Sequence, residues 1–396
     1  MAKKRVLMIA PYSFPVSGAE SIVNIKLLKV LTESGQFEID LVSRKIYTPD
    51  YPSGRIEDYG IELRSIHIIT VYNRINLRTI WQHIGCFLRF GYIHKGCHWT
   101  FAAFDIVKKL IKQNKYDYVL TKCDCALGNY AKKKGLKWVA TWNDPYPSSK
   151  YPAPYGLGID GKTSLSDKVL IRMMRNADAH IFPSDRLAKY MQPIINATAD
   201  KIFIIPHVVI MGERGSASGK SLRLIHSGSL YAPRSPKTFL EGLKLFISKE
   251  EKPLLKVSIL GGISEEDKRL INELGVDSYV ECFAPVEYQK SLQELNNYDV
   301  AVIIEAICKE GIYLPTKVSD FMQMQIPIFS ISPAEGTLND LFKKGNVPYF
   351  ADVSDPESIS SAISKVYRDF KDKTIKDNTI PKTYLPGYVV EQYAHF

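Results

Sequence analysis

Short apolar runs rich in β-branched residues alternate with amphipathic segments along this chain, and the alternation runs through twice. "RVLMIA", "FEIDLVS", "SIHIITV", "YDYVLT", "KWVATW", "AHIFPS" and "KIFIIP" have the length and content of buried parallel strands. Stretches between them, such as "GAESIVNIKLLKVLTES" and "SLSDKVLIRMMRNA", carry helical period. After the Gly- and Ser-rich "MGERGSASGKS" the rhythm restarts with "LRLIHSGS", "LKVSILGG", "SYVECFA", "DVAVIIE" and "IPIFSIS". A βαβα order repeated on either side of such a stretch predicts an α/β fold of two doubly wound, Rossmann-like domains. The boundaries read as 1–207 and 221–382, with a linker over 208–220 and a final segment at 383–396. The length of 396 residues agrees, since single cores stop growing at roughly 250–300 residues. Ligands of open α/β sheets bind outside the carboxyl ends of the strands, and in two facing domains those ends line one interdomain cleft. The loops after the strands are therefore where chemistry is to be sought.

Bulk properties exclude several classes. With 45% apolar and 24% charged residues the chain is globular, and no apolar stretch approaches the roughly 18 residues of a membrane span. "MAKKRVLMIAPYSF" begins basic and then apolar, as a secretory leader does. It has no small-residue cleavage site, so we read a first strand and a cytoplasmic protein. The six cysteines form no CxxC pair and are too sparse for a disulfide scaffold. Cys86, His94, Cys97 and His98 match no standard zinc spacing, so no metal site is expected. Charge is uneven: residues 1–205 hold 30 Lys and Arg against 17 Asp and Glu, and the remainder 22 against 25. The basic first half calls for an anionic partner.

Four strand-tip loops carry groups worth naming. In "APYSFPVSGAES", Ser17 and Gly18 open the first helix, where backbone N–H groups favour an anion; a plain N-terminal cap reads equally from the same residues. It is not GxGxxG, so no dinucleotide fingerprint is present. In "TWNDPYPSSKYPAPYG", Asn143 and Asp144 are placed to hold sugar hydroxyls and Tyr146 and Tyr151 to stack on pyranose rings, or else form an Asx turn ahead of Pro145. In "HSGSLYAPRSPK", Gly228 and Ser229 offer backbone donors while Arg234 and Lys237 offer charge, a combination suited to diphosphate, or else to a solvated basic turn. His207 in "IIPHVV" lies where the halves join and reads either as functional or as a core histidine. Finally "EGIYLPTKVSDF" packs Glu310, Thr316, Lys317 and Asp320 after a strand with no Ser, Cys or His nucleophile among them. There Asp320, at the first turn of a helix, would accept from a ribose diol, Thr316 and Lys317 would meet phosphate, and Glu310 would lie near a sugar.

Together these stretches resemble the GT-B glycosyltransferases, specifically the retaining family 4 (group 1) type that uses nucleotide-sugar donors and serves bacterial surface-polysaccharide assembly. The likeness spans nearly the whole chain. It runs through "P-x2-G-A-E" (Pro15 to Glu20), "ADAHIFPSDRLAKYM", "KIFIIPHVV", "HSGSLYAPRSP" and "LPTKVSDFMQMQIPIFSIS", the last similar to the family's Pro-Ser-Lys-x-x-Glu-Tyr segment. The resemblance implies that Arg234 and Lys317 bind the donor diphosphate, Asp320 the ribose and the backbone of Phe283 to Val286 the nucleobase. Gly18 and Asn143 would face the transferred sugar and the acceptor in the first, acceptor-side domain, and residues 383–396 would return to that domain as a helix. No cofactor or metal is implied, because the nucleotide-sugar is a substrate and fixed charge can stabilise its leaving group. Three departures stand out. Asn143 occupies a place where His is common, Ser17 one where Gly is frequent, and Ile312 the place of the first of two glutamates eight apart, with Glu310 two residues earlier.

The expected activity is therefore transfer of a hexose or N-acetylaminosugar, UDP-linked, to a saccharide or polyprenyl-diphosphate-linked acceptor. A catalytically inactive scaffold and a nucleotide-sugar epimerase on the same fold are the alternatives. For the basic half, residues 74–115 place Ile80, Ile84, Phe87 and Leu88 on one helical face and Phe101, Phe104 and Ile111 on another. Arg74, Arg78, Arg89, Lys95, Lys108, Lys109, Lys112 and Lys115 flank them. Two readings stand: peripheral docking on the acidic inner face of the cytoplasmic membrane, or two core helices with solvated rims. No nucleic-acid-binding module is recognisable.

Overall fold

A computed structural model describes residues 3–14, 16, 18–46, 56–71, 76–94, 96–215 and 219–396. Pro15, Ser17, Arg74 and Lys95 lie outside the described residues. The chain forms two units, one ending at Val208 and taking in Pro386–Phe396, the other Val209–Leu385.

In the first unit the elements follow as β1 (Lys4–Ile9), α1 (Ala19–Glu33), β2 (Phe37–Ile46), β3 (Ser65–Val71), α2 (Leu77–Phe90), α3 (Cys97–Gln113), β4 (Tyr118–Lys122), α4 (Cys125–Lys133), β5 (Lys137–Thr141), α5 (Leu165–Met174), β6 (Ala179–Phe182), α6 (Asp185–Ile195) and β7 (Ile202–Ile204). All pairings are parallel, in the order β3-β2-β1-β4-β5-β6-β7. The order reverses between β1 and β4, which opens a crevice at their carboxyl ends. Both faces of the sheet are covered, so β4 is buried at every residue. Helix starts are fixed locally. Asn76 accepts from the Thr79 N–H, Asp124 from Leu127 and Ser164 from Asp167, each satisfying an orphan donor of the first turn.

The second unit repeats the plan with β8 (Leu222–Ser227), α7 (Lys237–Lys249), β9 (Leu255–Leu260), α8 (Glu265–Glu273), β10 (Val280–Phe283), α9 (Tyr288–Glu294), β11 (Val300–Ile304), α10 (Thr316–Gln323), β12 (Ile328–Ser332), α11 (Thr337–Lys343), β13 (Tyr349–Asp352) and α12 (Pro356–Lys371). Its parallel sheet runs β10-β9-β8-β11-β12-β13, with the reversal between β8 and β11. The last helix, α13 (Pro386–His395), belongs to the first unit, where the Tyr393 carbonyl accepts from the Tyr118 hydroxyl at 3.2 Å.

Part of the stretch expected as a linker is structured. The Val209 N–H donates to the Tyr384 carbonyl and the Gly212 N–H to that of Gln323, so the residues after Val208 pack into the second unit; 216–218 lie outside the described residues. The two amphipathic helices differ as well. On α3, Phe104 is 8% exposed in the core and Ile111 packs against it, while Phe101 covers Gly85. That face is core, not surface. On α2 the arrangement is inverted: Thr79, Gln82, Gly85 and Cys86 are buried, and the apolar side chains face out.

Candidate functional site

Each unit gathers its polar groups at its own point of strand reversal. In the second, β8 runs into Gly228, whose N–H donates to the Leu260 carbonyl at 2.6 Å with φ +126°. A Cβ there would collide with Cε and Nζ of Lys317, so the absent side chain is the space the ammonium occupies. Gly261, after β9, has φ +133°, and its Cβ would lie 2.5 Å from the Gly228 carbonyl carbon and 2.8 Å from the Ser229 nitrogen. The Ser229 hydroxyl donates to the Gly261 carbonyl at 2.7 Å, so the two tips interlock.

Arg234 reaches the same place. Its Nη2 donates to Glu305 Oε2 at 3.4 Å, and both side chains are largely buried. Burial, with Arg234 nearby, pulls the Lys317 ammonium down to about 8, against the opposing pull of Glu305 and Asp320. Behind them His226, 1% exposed with Nδ1 on the Val302 carbonyl, is held well below its usual value by burial and by Lys317 and Arg234. Two buried cations thus meet one paired carboxylate, leaving a site that attracts anionic oxygens.

The other expected residues of this unit fall as follows. Thr316 is the first residue of α10, beside Lys317. Asp320 is not in the first turn, because Pro315 is the N-cap and the carboxylate therefore sits in the second turn. It is 7% exposed and accepts from the Tyr288 hydroxyl at 2.8 Å. Phe283 is 44% exposed at the end of β10, and Val286 packs partly on the core. Glu310 is exposed in the loop before α10, and Lys237 opens α7 facing solvent. The carboxylate that pairs with the basic groups is Glu305, which sequence reasoning passed over although it directly follows β11.

In the first unit a cavity of about 930 Å³ opens at the ends of β1, β2 and β4. Gly18, the N-cap of α1, has extended backbone and open space where a Cβ would stand; its N–H donates to Ser21 Oγ. Asn143 donates from Nδ2 to Glu20 Oε2 at 2.6 Å, fixing that carboxylate on the cavity wall. Lys122 is 3% exposed between this cavity and a smaller one bounded by Asn143, His207 and Tyr393. Burial pushes Asp124 up to about 6 although Leu127 N–H and the Thr100 hydroxyl both donate to it. Tyr146 stacks on Trp142 with centroids 5.4 Å apart, and Tyr146, Tyr151 and Asp144 line the opening. The loop after β5 is therefore part of the cavity wall. Glu20, Lys122 and Asp124 were not singled out from sequence; their positions at strand tips and a helix start were the available signal. Among the described residues no group of three or more His, Cys, Asp or Glu is placed to hold a metal.

Residues 46–211 match the family model described as Glycosyltransferase Family 4. Among curated proteins none matches the chain. The fold is similar to sucrose-phosphate synthase from Thermosynechococcus elongatus, with TM-score 0.66, 14% identity and coverage of 99% of this chain and 98% of that one. It is similar to Anabaena HepE in complex with UDP, with TM-score 0.63, 11% identity and coverage of 99% and 98%. A UDP-N-acetylglucosamine 2-epimerase is also similar, with TM-score 0.57, 13% identity and coverage of 100% and 98%. At such identities these likenesses carry the fold and not the activity.

Proposed function

We propose that this chain, which folds as a GT-B protein and carries a glycosyltransferase family 4 segment, is a retaining glycosyltransferase with a UDP-sugar donor and a lipid-linked saccharide acceptor. The observation that carries the reading is the meeting of Lys317, Arg234 and Gly228 at the strand reversal of the second unit. A sugar–diphosphate bond breaks by loss of the diphosphate, and the charge that develops there is what two fixed cations stabilise. The acceptor hydroxyl forms the new bond to the anomeric carbon on the face the diphosphate leaves. Its proton passes to a diphosphate oxygen, so no protein nucleophile is needed. Asp320, held by Tyr288, takes the ribose hydroxyls; Thr316, first residue of α10, supplies a backbone donor and Gly228 the room for the Lys317 ammonium; Phe283 and Val286 flank the base. Asn143 and Gly18 serve the acceptor side, with Glu310 near the sugar. The transferred unit is a hexose or N-acetylaminosugar, and the setting is polysaccharide assembly.

A panel of UDP, GDP, ADP, CMP and NAD separates this from the alternatives by thermal stabilisation. One nucleoside diphosphate is expected to stabilise the wild type by about 1.4 kcal/mol at tenfold above Kd, and Arg234→Ala to lose that shift. No shift at millimolar ligand would leave an inactive scaffold as the better account. Incubation with a UDP-sugar alone then distinguishes slow release of UDP, expected of a transferase, from an epimerised sugar nucleotide.

The membrane side of the reading rests on α2. Leu77 is 88% exposed, Leu88 75%, Trp81 64% and Phe87 52%, with Arg78 and Arg89 beside them. Such a face is suited to lie in the interface of an anionic bilayer. Among the described residues no helix is long and apolar enough to cross one. Trp99, Trp138 and Trp142 are at most 1% exposed, so Trp81 is the tryptophan able to respond. Vesicles containing anionic lipid are expected to shift its emission to the blue, and Leu88→Glu to abolish binding. Equal behaviour of wild type and variant would remove α2 as the docking element.

A further inference from the structure

The cavity of the first unit has a basic wall in which three buried nitrogens, Arg44 Nε and both of His98, go without a partner. Arg44, on β2, is 8% exposed, and its guanidinium lies over the Tyr12 ring at 3.9 Å. Its Nε has no hydrogen-bond partner; the guanidinium's side-chain partner is Tyr12, and among the described residues no carboxylate pairs with it. His98, on α3, is 7% exposed, and neither ring nitrogen has a partner. Its ring stacks on that of His83, from α2, at 5.1 Å. The His83 Nδ1–H donates to the Thr79 carbonyl at 2.6 Å, leaving Nε2 for other contacts. Burying an arginine and a histidine nitrogen without acceptors is unfavourable, and residues of three different elements converge to do it. Something that supplies oxygens and negative charge completes this wall.

The rest of the cavity narrows what that is. The same cavity is lined by Glu20, held by Asn143, and Asp124, held by Thr100 and a helix N-terminus. Those groups accept hydroxyls and repel anions, so the cavity offers groups suited to a polyol as well as groups suited to an anion. Helix α2 links the cavity to the surface, for Thr79 and His83 line it while Trp81 and Leu88 of the same helix face out.

We infer that Arg44, His98 and His83 form a phosphate-binding subsite that holds the phosphate or diphosphate of the acceptor, with its sugar against Glu20 and Asn143. This deepens the acceptor side of the proposed function and rests on it. Guanidinium and imidazolium donors bind phosphate oxygens through charge-assisted bonds, and the anion offsets the mutual repulsion of His98, His83 and Arg44 that burial sharpens. At present burial and those two neighbours hold His98 below its usual value, so its protonation reports occupancy.

The test follows the histidine ring signals of the full chain by nitrogen-correlated NMR, with His98 assigned through their loss in His98→Asn. Inorganic pyrophosphate is titrated into the Lys317→Met chain, in which the second unit's phosphate site is removed. The expected result is a shift of the His98 signals and a rise of its titration midpoint by about one to three pH units. Arg44→Met, which keeps the stem against Tyr12, is expected to weaken the pyrophosphate midpoint about 10- to 100-fold. His98→Gln serves as the second variant should Arg44→Met not fold. Farnesyl diphosphate binding tighter than pyrophosphate, and losing that gain in Leu88→Glu, identifies a lipid as the source; glucose 1-phosphate binding tighter, with Leu88→Glu unchanged, identifies a soluble sugar phosphate. Either outcome keeps the subsite. His98 signals unmoved by pyrophosphate, or an Arg44→Met midpoint equal to that of its parent, would overturn it. Because nucleotide stabilisation is read separately in the wild type, failure here is distinct from failure of the donor site.

Discussion

Lys317→Met is expected to lower sugar transfer about 10²- to 10³-fold, the effect of removing one fixed donor from a developing anion. The same substitution is expected to leave the fold intact and more resistant to urea near neutral pH. Lys317 is an ammonium held beside Arg234 in the space left by Gly228, and burial brings it from 10.5 to about 8. A depressed ammonium is a destabilising one: between pH 8 and 10.5 the unfolded chain binds more protons than the folded one. Its contribution to stability therefore rises with pH across that window, and below about 8 the full penalty is present. The difference in urea midpoint between wild type and Lys317→Met should accordingly be largest near pH 7 and shrink towards pH 10.5. Nucleotide affinity runs the other way and falls as pH climbs through about 8, because only the protonated side chain attracts diphosphate. A variant that unfolds, or one that retains full turnover, would remove Lys317 from the leaving-group site.

Gly261→Ala is expected to destabilise the second unit by about 2–4 kcal/mol and to abolish nucleotide stabilisation together with it. Two causes add. The φ of +133° is one that an L-residue rarely adopts, and the new methyl would sit 2.5–2.8 Å from the backbone of Gly228 and Ser229. Unlike the flexible end of a lysine, those atoms belong to the tip that positions Lys317. Urea denaturation and the nucleotide panel measure the two effects. Gly262→Ala is the control, since its φ of +91° is strained but its Cβ meets nothing within 4 Å. A Gly261→Ala chain with wild-type midpoint would show that the tips do not depend on each other.

Much of this was legible in order along the chain. Strands buried on both faces of a parallel sheet appear as unbroken apolar runs, so "YDYVLT" and "DVAVIIE" announced β4 and β11 without any tertiary knowledge. Arg234, Lys317 and Asp320 were found because each lies within a few residues of a strand tip or helix start, where local sequence sets position. Glu305 was not, because its role comes from a partner 71 residues away. Nor was Gly261, whose reason for being glycine is the backbone of another strand tip.

The fate of the two amphipathic helices shows the same division. Residues of α2 and α3 both alternate with helical period, and sequence can say only that each has an apolar face. Which face is covered depends on what else packs there: the α3 phenylalanines meet the core, whereas α2 turns Thr79, Gln82 and Gly85 inward and leaves Trp81 and Leu88 outside. The convergence of Arg44, His83 and His98 is likewise invisible in a linear reading, since β2, α2 and α3 each contribute one residue. By itself the sequence determined the α/β plan and its repetition, and set Arg234 and Lys317 near a strand tip and a helix start, because backbone hydrogen bonding and burial period act over neighbouring residues. The tertiary structure alone decided which carboxylate pairs with Arg234, which glycine the loops require and which bases share a cavity, because those depend on distances between elements that no local period encodes.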